Sequence, residues 1–517
     1  MKSALAFSGL ITGLMLAGCA TQIATAPIQA QALSYNRTVV TPVQVEDSYY
    51  VMGHDRVAAR AEARNAGQAR NVIIFVGDGM GISTITAARI YAGQSQGLDG
   101  ESYQLTMETF PNVALSKTYS DNFQTADSAA TAVAMMTGVK TDSGTLGFDH
   151  NVQVGNCGAS LGHEVDSLFS MAEAQGFVTG VVSTARITHA TPASTYSHSP
   201  SRDWEVDGDL GAQAQLGCRD IASQLIDFPA GDGLEVAMGG GRRNFMRVDQ
   251  ADPEYDGRTG SRTDGRDLVG EWTAKSEAHT FIYDQAGFDA IDFDSDVRVL
   301  GLFEPSHMQF EQDRANDGAG EPSVSELTAA AITRLNRGEE GFVLMVEGGR
   351  IDHAHHGGNA HRALVDAVAF DEAIRTAVEM TDASETMILV TADHSHTMTI
   401  AGYAARGNPI LGLARSEVGA LLRASDGRPY TTLGYANGPG AVCVSDENAA
   451  CEREDLTDID VEAPNYLQQS TYAMGSETHG GEDVAIFATG AGSERVGGVM
   501  EQNEIFHALA QSLGIVE

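Results

Sequence analysis

Six short apolar runs constrain this chain most strongly: residues 71–76, 178–183, 235–238, 342–346, 387–391 and 484–488, rich in β-branched side chains and separated by longer helical stretches. A run that is apolar at nearly every position must be covered on both faces, which is the situation of a strand inside a helix-flanked parallel sheet. The expected class is therefore α/β, a three-layer α/β/α sandwich around a large, mostly parallel central sheet. A helix is predicted over 56–68, just ahead of the first strand. Two stretches rich in glycine and polar residues, 240–296 and 401–476, break the alternation and are expected as inserted subdomains.

The two ends of the chain differ in character. Lys2 precedes an apolar segment over 4–16 that is too short for a membrane span but suits a signal peptide over 1–18. Leu16-Ala17-Gly18-Cys19 resembles a bacterial lipobox, and that resemblance implies export and a lipid on Cys19, facing the periplasm or exterior. Residues 19–50 read as a tether, leaving 51–517 as the folded domain. Four further cysteines, Cys157, Cys218, Cys443 and Cys451, make an even number, as two disulfides require. Four cysteines allow three pairings; nearest-in-sequence pairing expects Cys157–Cys218 and Cys443–Cys451, contributing about 4 and 2.5 kcal/mol by loop closure.

Charge excludes one class of partner. Asp and Glu number 70 against 32 Lys and Arg, a net −38, so a nucleic-acid-binding role through a basic face is not expected. Only four of the cations are lysine: Lys2, Lys117, Lys140 and Lys275. A lysine-poor, acid-rich surface suits saline surroundings, where salt screens self-repulsion, and halotolerance is expected on that ground.

Polar residues gather where the apolar runs end, the place where open α/β sheets hold ligands. Residues 72–76 lead into Gly77-Asp78-Gly79-Met80-Gly81, 342–346 into a segment from Glu347 through Asp352 to His356, and 387–391 into Ala392-Asp393-His394-Ser395-His396. Glu477-Thr478-His479-Gly480-Gly481 precedes the last run. One Asp-Gly after a strand is usually a turn, but several Asp/His-bearing segments at corresponding strand ends point to a metal centre. Asp352 and His356 have the i, i+4 spacing for one ion. In Thr125-Ala126-Asp127-Ser128-Ala129-Ala130-Thr131, Ser128 would open a helix. The plain reading is an N-cap; the functional one is a nucleophile at an anion-favouring helix end. Arg202 offers a planar fork for a phosphate, although a single arginine is more often a surface charge.

These segments, in this order and over most of the chain from Asn71 onward, resemble the alkaline phosphatase family and in particular its animal-type branch. The resemblance implies a dimeric, alkaline-phosphatase-like sandwich with crown-like and metal-binding insertions. It also implies broad hydrolysis of phosphate monoesters at alkaline pH through a phosphoserine. One zinc would be held by Asp352, His356 and His479, and a second by Asp78, Asp393 and His394 with Ser128. A magnesium would take Asp78, Thr191 and Glu347, with His189 nearby through water. Arg202 would clamp the phosphate and Asp127 orient it. Asp252-Pro253-Glu254-Tyr255 and Gly301-Leu302-Phe303-Glu304-Pro305 resemble segments of a fourth, calcium-type site, with Glu254, the Phe303 carbonyl, Glu304 and Glu321 as oxygen donors. Phosphodiesterases and sulfatases share the superfamily, and Ser128-Ala129-Ala130-Thr131 lacks the sulfatase Cys/Ser-x-Pro-x-Arg pattern. A non-catalytic binding protein on the same fold is the remaining alternative.

Overall fold

The computed structural model describes residues 37–64, 66–441 and 453–516. Its centre is a ten-stranded sheet. In chain order the strands are β1 (Asn71–Gly77), β2 (Asn112–Lys117), β3 (Val178–Arg186), β4 (Val236–Gly240), β5 (His279–Ile282), β6 (Arg298–Leu302), β7 (Phe342–Gly348), β8 (Thr386–Ala392), β9 (Val484–Gly490) and β10 (Gly498–Glu501). Across the sheet they lie β10-β2-β9-β8-β1-β7-β3-β4-β6-β5. Only β9 runs against the others, antiparallel to both β2 and β8. Its start is therefore at the same sheet end as the finish of β1, β7 and β8.

The apolar runs are apolar throughout because both faces are covered. Val72, Ile74 and Val76 of β1 join Met345 and Leu389 in one core layer, closed by the helices Ser128–Thr137 and Glu504–Leu513. Ile73 and Phe75 join Leu344, Val346 and Val390 in the other, closed by Val324–Leu335 and Ala360–Met380. This is the α/β/α sandwich expected from the sequence.

The edges differ from the sequence reading. β2, β5, β6 and β10 were not predicted; three of them are partly exposed and mix polar with apolar residues, so no continuous apolar run marks them. The stretch 240–296 is not wholly outside the sheet, because it contains edge strand β5. Residues 401–476 do carry a separate sheet, formed with Met398–Ile400 by Leu433–Gly438 and Ser470–Ala473.

The first helix spans Ser48–Arg64, earlier than predicted. The described residues ahead of it are not a free tether. Val40 N–H donates to Ile515 O at 2.8 Å, and the buried Gln44 amide donates to Thr137 O and Asp166 O. Cys157 and Cys218 form a disulfide, while Cys19, the 1–18 segment, Cys443 and Cys451 lie outside the described residues.

Away from the polar strand ends, a carboxyl pair sits under β3 and β4. Glu173 accepts from Thr179 Oγ1 at 2.6 Å, and Glu235 accepts from Thr179 N–H and Arg298. Burial, then the charge of Glu235, pushes Glu173 up to about 8. A carboxyl raised in the folded state binds its proton more tightly than in the unfolded chain, so its contribution is full below the unfolded value and is lost as pH rises through about 8. Glu173→Gln keeps an acceptor for Thr179. Its denaturation midpoint is expected to fall less between pH 6 and pH 9 than that of the unaltered protein; equal pH slopes would refute this.

Candidate metal centre

Parallel register sets the frame of the site. Gly77 is opposite Gly348 on one side and Ala392 on the other, and Val76 is opposite Glu347. Asp78 and Asp393, one residue beyond their strands, therefore emerge level with each other and beside Glu347. Gly79 turns the chain at once with φ +66°, and any Cβ there would meet the His396 ring at 2.3 Å.

Asp78 is fully buried, and neither of its oxygens has a hydrogen-bond partner among the described residues. Burial, followed by the charges of Asp352, Asp393 and Glu347, holds its carboxyl well above the ordinary range. Such a group is costly unless cations neutralise it.

Three groups of donor atoms converge here, each within 4.8 Å. The first is Asp352, His356, His396 and His479. His356 Nδ1 faces Glu477 O at 2.6 Å and His479 Nδ1 faces Ala126 O at 2.8 Å, so both must donate there. Their Nε2 lone pairs then face one another at 3.2 Å, with Asp352 Oδ1 at 3.4 and 3.5 Å from them. Three acceptors aimed at one point with no proton between them suit a tetrahedral cation. His396 has a different part: it bridges Asp352 Oδ1 at 2.8 Å and Glu477 Oε2 at 2.6 Å. Although burial opposes it, those two carboxylates push His396 up to about 9, so it holds Asp352 as a cationic donor.

The second group is Asp78, Asp393 and His394. Asp393 Oδ1 accepts from the N–H groups of Gly79 and His394, both at 2.9 Å, which leaves Oδ2 toward His394 Nε2 at 3.2 Å. Ser128 Oγ lies 3.1 Å from the same Nε2. The third is Asp78, His189 and Glu347. Glu347 Oε1 and Thr191 Oγ1 are buried with no hydrogen-bond partner among the described residues, whereas Glu347 Oε2 is occupied by Ser183. His189 Nε2 accepts from Arg202 Nη2 at 3.0 Å; the ring, held neutral by burial and by Arg202, then carries its proton on Nδ1.

Ser128 opens the helix Ser128–Thr137, capped by Asp127. Asp127 does three jobs: Oδ1 accepts from Ala130 N–H and Gly144 N–H, and Oδ2 pairs with Arg202 Nη1 at 3.1 Å. The guanidinium is thereby held between Asp127 and His189. An open cleft of about 430 Å³ leads in past Phe123, Thr125, Asp127, Ser143, Thr478 and His479.

A fourth group lies apart, and it departs from the residues expected there. Glu254, Glu304 and Asp317 converge, with Glu254 Oε1 and Asp317 Oδ2 unpartnered among the described residues. Glu254 is also paired with Arg242 at 2.8 Å. Glu321 is not in this group; its Oε1 accepts from Gln309 N–H, its Oε2 is buried without a partner among the described residues, and burial pushes it up to about 9. Phe303 is fully buried, immediately before Glu304.

The alkaline phosphatase family matches residues 69–515. This chain belongs to the alkaline phosphatase family. Among its relatives, the chicken (Gallus gallus) tissue-nonspecific alkaline phosphatase is 44% identical over 465 residues, covering 88% of this chain and 86% of that protein. The human (Homo sapiens) tissue-nonspecific isozyme is 42% identical over 462 residues, with 88% and 86% covered. The Atlantic cod (Gadus morhua) enzyme is 42% identical over 461 residues, with 88% and 93% covered. The alkaline phosphatase of Thermus thermophilus superposes with a TM-score of 0.61 at 24% identity, over 87% of this chain and 92% of that one, and shares the fold.

The comparisons correct one expectation. A bacterial lipoprotein, membrane-anchored through Cys19, is not supported: the relatives at 42–44% identity are vertebrate enzymes. No helix among the described residues is long and apolar enough to cross a membrane. The tetrapeptide Leu16–Cys19 is a far shorter signal than a match across hundreds of residues.

The clustered carboxylates give a test that does not depend on turnover. Asp78→Asn should cost at least one bound metal ion per chain by elemental analysis. In chelated protein at pH 8, where only repulsion remains, the same variant should melt higher than the unaltered chain; a lower melting point there would contradict the account.

Proposed function

We propose that this metal-dependent phosphomonoesterase of the alkaline phosphatase type uses Ser128 as its nucleophile, passing through a phosphoserine, with Arg202 holding the phosphate. The observation that carries the reading is the position of Ser128 Oγ: at the first turn of a buried helix, 3.1 Å from His394 Nε2, and next in sequence to Asp127, which pairs with the Arg202 fork.

The donor sets fit two zinc ions and one magnesium. Asp352, His356 and His479 would hold the first zinc, and Asp78, Asp393 and His394 the second, a nitrogen-oxygen mixture zinc accepts. Asp78, Thr191 and Glu347 offer the oxygens a magnesium prefers, with His189 behind them. When bound, these ions supply Lewis-acid charge that neutralises the phosphoryl group and favours ionised hydroxyls. Glu254, Glu304 and Asp317 suit a further hard cation of the calcium type, with Asp317 in the part expected of Glu321.

The chain's own residues do the rest. The helix N-terminus favours a negative Oγ on Ser128. Arg202, fixed by Asp127 and His189, presents its fork to two non-bridging oxygens. Ser128 Oγ bonds to phosphorus as the ester O–P bond opposite breaks, and the alcohol leaves with a proton from solvent. Water then attacks the phosphoserine, the P–Oγ bond breaks, and phosphate is released with Ser128 restored. The family reading also carries a homodimer, which sedimentation would check.

Ser128→Ala should lower nitrophenyl phosphate turnover by about four orders of magnitude or more while metal content stays normal; retained activity would refute the assignment. Chelation should abolish activity, and Zn²⁺ with Mg²⁺ should restore it. The net charge of −38 repels anionic esters at low ionic strength, so KM should fall as NaCl rises from ~0.05 to ~1 M. A KM that is flat or rising with salt would count against salt adaptation.

A further inference from the structure

Phe123 is a large apolar residue left 57% exposed, and its ring belongs to no core cluster. Isolated exposed apolar residues are ordinary. Its location is not, because it lines the cleft that ends at Asp127 and His479. We infer that Phe123 is a specificity-determining residue of this enzyme: its ring packs against planar, apolar leaving groups and so favours monoesters of aromatic alcohols. The inference rests on the reading of Ser128 as nucleophile.

Direction is the first argument. In-line displacement puts the departing oxygen opposite Ser128 Oγ. The cleft by which an alcohol can leave is lined by His479, of the group containing Asp352 and His356, and by Phe123. An alcohol leaving through this cleft has the Phe123 ring on its wall.

Rigidity is the second. Phe123 stands on a tight turn closed at both ends of its backbone: Ser120 N–H donates to Phe123 O at 3.1 Å, and Phe123 N–H donates to Ser120 Oγ at 3.0 Å. Asn122 Oδ1 ties the turn to the opposite wall by accepting from Ser143 N–H at 3.0 Å. The next residues are held as well, since His479 Nδ1 donates to Ala126 O. A ring presented by a preorganised turn loses little conformational freedom when it packs on a ligand.

Charge is the third. No lysine or arginine is among the described residues lining this cleft, and Asp127 is there. Asp121 lies within the turn and Asp142 follows Thr141, whose carbonyl takes the Asp121 N–H, but neither lines the cleft. A cleft lined by no cation offers an anionic alcohol no partner, leaving the aromatic face as the source of selectivity.

The test compares kcat/KM for benzyl phosphate and ethyl phosphate, which differ by the ring alone, in the holoenzyme and in Phe123→Ala, Phe123→Leu and Phe123→Trp. The benzyl-to-ethyl ratio should fall about 5- to 10-fold in the Ala and Leu variants and be kept in Trp, with the inhibition constant of inorganic phosphate unchanged. A ratio within twofold of the unaltered enzyme, or an equal fall for both esters, would overturn the inference while leaving the phosphomonoesterase reading intact. An unaltered holoenzyme that hydrolyses neither ester would overturn both, and it is recognised before any variant is compared.

Discussion

Four carboxylates, Asp78, Glu347, Asp352 and Asp393, are buried together at one end of the sheet, and the site around them follows from that arrangement. In water such groups repel weakly; inside a protein each unpaired charge costs several kcal/mol. The surroundings relieve the cost unevenly. Asp352 is held well below the ordinary range, burial being outweighed chiefly by the hydrogen bond and charge of His396. Asp78 has no such partner and is pushed the other way. A cluster in which one carboxylate is only partly satisfied and its neighbour is left bare is built for cations, because added positive charge satisfies both at once.

Much of this was legible in the sequence. Strands buried on both faces announce themselves by continuous apolar runs, and those at 71–76, 342–346 and 387–391 became β1, β7 and β8 at the middle of the sheet. Because Asp78, Glu347 and Asp393 sit at the ends of those same strands, their convergence follows from pairing adjacent parallel strands. Edge strands such as His279–Ile282 carry no equivalent pattern, since one flank meets solvent and packing no longer dictates every side chain.

What was missed lies where chemistry depends on contacts distant in sequence. His396 was visible in the run Asp393-His394-Ser395-His396, but its task is set by Glu477, 81 residues away. Whether Asp317 or Glu321 comes near Glu254 and Glu304 depends on how the loop before helix Val324–Leu335 folds: both residues are acidic and four apart, and no periodicity distinguishes them. Within 4.8 Å it is Asp317 that joins Glu254 and Glu304, although Glu321 Oε2 is also left without a partner among the described residues.

The reversed strand β9 explains how His479 enters the site at all. A parallel strand would deliver the segment before it to the opposite end of the sheet, tens of ångströms away. Running antiparallel to β8, with Ile486 opposite Thr391, β9 instead begins beside Asp393. The short antiparallel pairing of His479 with His396 then locks the imidazole in place. The first donor group thus unites Asp352 and His356, four residues apart on one helix, with a histidine more than 120 positions later in the chain. The local pair can form as soon as its helix does. The third imidazole arrives only when β9 has docked, after the loop-closure cost of the whole intervening segment has been met. Tight binding at that group therefore reports completed assembly of the sheet, and metal held there stabilises the long-range pairing that made the site.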